Sequence, residues 1–197
     1  MVVVSFTIYL FIPLLYMTKP TSGLFITMIK RFIMTNQAPI TRQEVMDHQA
    51  AWGTAIKQIS AYYRDNQDYV GIATKASLEL YGFDNAPVMF KPTKAVKYPF
   101  RPTSQCALSY FVGGKAVGGH EEDGGFVINN GKGWRQVEFD NHIIETMGTV
   151  AIAMGTYNFE CATTNQTTAV HYTFGYRRNP DGKVVIFLHH SSVPYRE

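Results

Sequence analysis

Apolar positions between residues 41 and 64 fall at three- and four-residue steps: Val45, Trp52, Ile56, Ile59 and Tyr63, with Gln49 as the single polar break. That spacing places them on one face of a helix. Thr41-Arg42-Gln43-Glu44 opens the helix as a capping box, a hydroxyl followed three residues later by a carboxylate that reaches back, and Asp65-Asn66-Gln67 breaks it near Arg64. A second helix is predicted from about Asp68, a good N-cap, through Leu80, with Gly82 as its stop. Val88-Met89-Phe90-Lys91 reads as a short strand halted by Pro92, and Lys94 to Pro102 as irregular. Thr103 or Ser104 can cap a short helix through Ala107, Leu108, Tyr110 and Phe111, which Gly113-Gly114 ends. Residues 113–133 are glycine-rich and polar, which predicts a mobile loop with one short strand at Phe126–Ile128.

From Trp134 the pattern changes to runs typical of strands. Four follow: Trp134 to Met147, Val150 to Thr163, Thr168 to Arg178 and Lys183 to Val193. Turn residues separate them, and Asn179-Pro180-Asp181-Gly182 is the strongest hairpin signal. Helices followed by an antiparallel meander make an α+β layout. A strongly curved antiparallel sheet wrapped around packed N-terminal helices forms a cone with a pocket at its wide end. By fold-level analogy this is the NTF2-like layout.

The last strand ends unusually. Val184-Val185-Ile186-Phe187-Leu188 runs directly into His189-His190-Ser191-Ser192. Neighbours in a strand point to opposite faces, so His190 shares a face with Ser192 and His189 shares the other with Ser191. Residues two apart lie about 7 Å apart along the strand. An imidazole and a hydroxyl at that spacing can hold a small oxyanion or polarise a water. The plainer reading is a solvated strand end on one face and a satisfied structural pair on the other.

The first 37 residues stand apart. Val2 to Tyr16 is apolar and uncharged, a little short of the about 20 residues of a spanning helix, and it lacks the basic start of a secretory signal. A signal or anchor, a transit segment and an extension outside the working protein are the competing readings. The domain proper is expected over residues 38–197. A cytoplasmic location is expected, with export or an organelle as the alternative if residues 1–37 direct it.

Of the 197 residues 46% are hydrophobic and 17% charged, a globular composition. Twelve tyrosines and thirteen phenylalanines suit a β-rich fold with a pocket lined by rings and hydroxyls. The net charge is only +3 and no basic block occurs, so there is no nucleic-acid footprint. Cys106 and Cys161 form neither a disulfide framework nor a zinc motif and read as free thiols. His189 and His190 diverge as strand neighbours and cannot chelate one ion together. His48, His120, His142 and His171 are singletons. No metal or cofactor is expected. Thr93, where a strand stops, and Arg101, a fixed positive charge, flank the irregular segment. Tyr110 sets a hydroxyl among apolar neighbours.

Longer strings go further than spacing. Phe90-Lys91-Pro92-Thr93-Lys94-Ala95, Phe100-Arg101-Pro102-Thr103, Ala107 to Gly114, Asp123-Gly124-Gly125-Phe126, Ala153 to Phe159, Tyr172-Thr173-Phe174-Gly175-Tyr176 and His189 to Tyr195 resemble the iota-class carbonic anhydrases. That group is similar to the association domain of calmodulin-dependent kinase II and shares its cone. The resemblance covers residues 38–197. It implies metal-free, reversible hydration of carbon dioxide to bicarbonate. By motif position it implies catalytic roles for Thr93, Tyr110, His190 and Ser192, with Arg101, His189, Ser191 and Tyr172 around the substrate. His190 and Ser192 are preferred over His189 and Ser191 because the kinase domain's equivalent arginine faces the pocket. The loop from Lys115 to Gly125 is longer than the family pattern. In this reading hydroxyls orient the water and the histidine assists proton transfer, since its ordinary pKa is about 6.5.

Two rivals remain on sequence alone. One is a non-catalytic association or small-ligand-binding module; the other is a cone-fold isomerase or dehydratase. The latter needs a carboxylate or His/Asp base in the pocket, whereas the acids here, such as Glu138, Glu145 and Glu160, lie in loops or at strand edges. A homodimer is expected in either case, and membrane contact only if the N-terminal segment is retained.

Overall fold

The computed structural model describes residues 37–195. The expectation for residues 1–37 falls, except for Gln37, outside them. Helix α1 spans Arg42–Arg64. Its capping box forms as predicted: the Glu44 amide donates to the Thr41 hydroxyl at 3.2 Å, and the Thr41 amide donates to the Glu44 carboxylate at 2.9 Å. Gln49 interrupts the apolar stripe without cost because its amide exchanges two hydrogen bonds with Asn141, at 2.8 and 2.9 Å, and donates to the Tyr172 hydroxyl.

Helix α2 spans Tyr69–Leu80 and is capped by Asp68, whose carboxylate accepts the Gly71 amide. It ends at Leu80, as predicted, with Tyr81 and not Gly82 as the residue that closes it. Tyr81 turns extended and bridges in parallel to Ile186, which carries its ring into the core. Strand β1 (Met89–Lys91) ends at Pro92, which has no amide to donate. Helix α3 (Ser104–Val112) starts from Thr103 and stops at Gly113, whose φ of +98° only glycine adopts readily. The segment after it differs from the predicted mobile loop. It holds a short helix α4 (Gly114–Val117) and bonded turns, and Phe126–Ile128 is not a strand. The Phe126 and Val127 amides instead donate to the carbonyls of Tyr110 and Phe111.

Strands β2 (Trp134–Met147), β3 (Val150–Cys161), β4 (Thr167–Arg178) and β5 (Val184–Ser192) complete a five-stranded sheet in the order β1-β5-β4-β3-β2. Neighbours are antiparallel except β1, which runs parallel to β5. Trp52 of α1 sits at the centre of the core, against the rings of Phe126, Phe139, Tyr157, Phe159, Phe174 and His189. Among the described residues no helix is long and apolar enough to cross a membrane.

The β4–β5 ladder contains one irregularity. Tyr176 pairs with Ile186, but Gly175 pairs with Leu188, so Phe187 is an extra residue in β5. Such a bulge exchanges the two faces of everything after it. Gly175 makes room for it: a Cβ there would lie 2.8 Å from the Leu188 Cβ and 2.9 Å from the Phe187 ring. Without the bulge, the alternation that buries Ile186 would also bury His190 and Ser192. With it, His189 pairs with Phe174 and Ser191 with Tyr172, both inward-facing, and the inward pair is His189 and Ser191.

Candidate active site

One cavity of about 420 Å³ opens between the sheet and the loops around α3. A water in the liquid takes about 30 Å³, so a small polar solute and several waters fit together. Apolar rings, among them Phe90, Phe126 and Phe159, make much of the wall. Four of the hydroxyl or imidazole side chains that the sequence singled out reach it, Thr93, Tyr110, His189 and Ser191, and Tyr157 joins them.

His189 and Ser191 are only 3% and 4% exposed. The His189 ring stacks on Phe90 at 4.5 Å, the two residues being register partners across β1 and β5, and it meets Phe174 at 4.1 Å. Burial among these rings keeps the imidazole neutral, its pKa well below the ordinary value. Its two nitrogens are both engaged. Nδ1 lies 2.8 Å from the Tyr81 hydroxyl, which also accepts the Trp52 indole N–H at 2.9 Å. Nε2 lies 3.0 Å from Ser191 Oγ, and Ser191 in turn bonds the Tyr157 hydroxyl at 2.5 Å. Tyr157, Tyr81 and Trp52 are therefore parts of the arrangement that the sequence did not flag. Each sits in an ordinary apolar pattern, and only their contacts with His189 and Ser191 distinguish them.

Tyr110 comes from the buried face of α3, and Thr93 from the turn after Pro92. The Tyr110 hydroxyl lies beside the Thr93 hydroxyl and the backbone of Thr93 and Lys94. Burial pushes its pKa up to about 12, so it is a protonated donor at neutral pH. Lys94, exposed at the cavity rim, brings a positive charge.

Four placements differ from expectation. His190 and Ser192 are exposed on the outer face of the sheet, in a groove with His142 and His171, because the bulge at Phe187 turns them away from the cavity. Arg101 is fully buried but lies outside the cavity wall. Its Nη2 donates to Asp123 at 2.7 Å and to Glu122 at 3.3 Å, so its charge is already matched. Tyr172 points inward, yet its hydroxyl donates to Asn141 at 2.7 Å and accepts from Gln49, away from the cavity. Beneath the rim, Asp123 also accepts from Ser109 at 2.5 Å. Glu122 accepts the amides of Val96, Lys97 and Tyr98, which together lower its pKa to about 2. The two carboxylates thus pin the 94–100 segment and the Lys115–Gly125 loop to each other. Among the described residues no group of three or more His, Cys, Asp or Glu could hold a metal ion.

A second histidine bears on stability. Both ring nitrogens of His48 are shielded from solvent without a hydrogen-bond partner, the ring set edge-on to Tyr176. Desolvation lowers its pKa from 6.5 to about 4. Between those values the unfolded chain takes up a proton that the folded chain refuses. Stability is therefore complete above about pH 6.5 and falls as pH drops toward 4, by about 2–3 kcal/mol from this residue. Buried His189 acts in the same direction. Urea midpoints measured from pH 7.5 to 4.5 should show the decline, and His48→Phe should flatten it. An unchanged slope in that variant would remove His48 from the account.

The chain matches a family model described as metal-independent carbonic anhydrase over residues 43–193. A relative from Nostoc sp. (strain PCC 7120 / SAG 25.82 / UTEX 2576), named metal-independent carbonic anhydrase, is 37% identical over 161 residues, 80% of this chain and 76% of that one. Among solved structures, that of an iota-carbonic anhydrase from a cyanobacterium complexed with bicarbonate superposes with a TM-score of 0.74 at 36% identity, covering 81% of this chain and 95% of the other. An NTF2-like superfamily protein from Salmonella enterica subsp. enterica serovar Typhimurium str. LT2 gives 0.46 at 12% identity, over 78% and 91%.

Proposed function

The chain belongs to the metal-independent carbonic anhydrases, and from that premise we propose that the cavity hydrates carbon dioxide to bicarbonate, reversibly, on hydroxyl donors. Four polar side chains converging on one ring-lined cavity carry this reading: Thr93 and Tyr110 from the loop and α3, and His189 and Ser191 from β5. The bicarbonate bound by the cyanobacterial relative supports the same substrate pair here.

Carbon dioxide is apolar and fits against Phe90, Phe126 and Phe159. Water attacks its carbon, a C–O bond forms, one C=O electron pair moves onto oxygen, and one water O–H breaks. Charge develops on the carboxylate oxygens, where pre-placed hydroxyl donors stabilise it without reorganising. The hydroxyls of Thr93, Tyr110 and Ser191 are those donors, with Lys94 adding charge at the rim. The released proton passes to water or a buffer base at the open mouth. Zinc enzymes reach the same point by lowering the pKa of a bound water to about 7; here the transition state is stabilised in place of the nucleophile.

The test is stopped-flow hydration of carbon dioxide by the full chain. Activity should survive chelation, and Tyr110→Phe should lose about 100-fold in kcat/KM for want of one donor, the lower end of the usual cost. Full activity in Tyr110→Phe would remove that role, and activity lost to a chelator and restored by zinc would reject the metal-free mechanism. We also expect a homodimer paired through the outer face of the sheet, where Ile143, Met147 and Met154 are 48%, 51% and 43% exposed. A monomer in sedimentation at micromolar concentration would refute it.

A further inference from the structure

We infer that Tyr81, oriented by Trp52, locks His189 in the tautomer protonated at Nε2, so that the imidazole serves as a hydrogen-bond donor to Ser191 and not as a base. This rests on the site reading above and assigns positioning roles to two residues that do not belong to its set of donors.

Hydrogen counting carries the inference. The Trp52 indole can only donate, and it donates to the Tyr81 oxygen at 2.9 Å. Tyr81 is completely enclosed in the core, and His189 Nδ1, at 2.8 Å, is its one remaining partner among the described residues. The Tyr81 hydrogen therefore goes to Nδ1, which must present a lone pair. Nε2 then carries the ring's hydrogen and donates it to Ser191 Oγ at 3.0 Å. The opposite tautomer would send Nδ1–H toward Tyr81 as well, leaving the Tyr81 hydrogen buried with no acceptor. One unmade buried hydrogen bond corresponds to a preference of about five- to hundredfold.

The choice decides what the cavity wall offers. Ser191 and Tyr157 share one hydrogen bond and own two hydroxyl hydrogens. When Nε2 donates, their mutual bond uses one hydrogen and the other is left for the cavity, ready for an anionic oxygen. In the opposite tautomer Ser191 would donate to Nε2 and Tyr157 to Ser191, and no hydrogen would face the substrate. The locked form suits bicarbonate. It also leaves His189 without a lone pair toward the cavity, so the proton released on hydration goes outward to water or buffer.

The test is nitrogen NMR of the full chain labelled at histidine, at neutral pH, with signals assigned through a His189→Gln reference. The expected His189 spectrum has a protonated, pyrrole-type Nε2 and a pyridine-type Nδ1. In Tyr81→Phe, which keeps the ring and its packing, both resonances should move toward the averaged values of exchanging tautomers, and kcat should fall about tenfold. A wild-type spectrum with Nδ1 protonated overturns the inference, as does a Tyr81→Phe spectrum identical to wild type. Because the wild-type spectrum needs no turnover, it stands or falls separately from the hydratase reading.

Discussion

Ser191→Ala should lower kcat/KM for carbon dioxide hydration by about 100- to 1000-fold, the usual cost of removing one donor aimed at a developing oxyanion. Ser192→Ala, one residue along, should stay within about twofold of the parent. Ser191 is 4% exposed and lines the cavity, whereas Ser192 lies on the outer face of the sheet. The loss in Ser191→Ala should appear mainly in kcat, since the oxygen it serves bears its charge most fully as bicarbonate forms. It should not be complete, because the Tyr157 hydroxyl stays behind and Thr93 and Tyr110 are untouched. Initial rates for both variants decide the matter. If the two show equal losses, or the order is reversed, the inward placement of Ser191 does not govern the chemistry.

Arg101→Met should cost about 3–5 kcal/mol of stability in urea unfolding, the usual penalty for leaving one half of a buried ion pair alone. Arg101 and Asp123 side chains are 0% and 1% exposed, and their contact is 2.7 Å. Removing the guanidinium strands the Asp123 carboxylate with only Ser109 to satisfy it. The double variant Arg101→Met, Asp123→Leu should recover part of the loss, since it buries no unmatched charge. Activity should fall too, because Glu122 and Asp123 form part of the cavity rim that this pair holds in place. A loss under about 1 kcal/mol in the single variant would mean that the rim is held by the amide contacts of Glu122 alone.

The helices and the four long strands were legible in the sequence because their signals are local. The capping box at Thr41 and Glu44, the Asp68 cap and the hairpin turns each need only neighbouring residues. The glycine-rich stretch after α3 was not legible, since its order comes from amides that bond to Tyr110 and Phe111 carbonyls and from carboxylates clamping a distant segment. Of the site, the types of group were readable and one detail was not. Alternation says that His189 pairs with Ser191 and His190 with Ser192, but which pair faces inward depends on an extra residue in the ladder. That residue, Phe187, looks like any other apolar position, and the cue is the glycine across from it in β4. Tyr81 and Trp52 were invisible for a related reason: burial hid two hydrogen-bonding rings inside patterns that a core explains.

The bulge and the doubled letters after it have a joint consequence for tolerance to error. A strand spelled His-His-Ser-Ser presents an imidazole and a hydroxyl two places apart whichever parity it adopts. Loss or gain of one residue upstream would exchange the members of the set yet deliver the same chemical types to the interior. The strand thus holds a spare copy of its own working pair, carried on its solvent side.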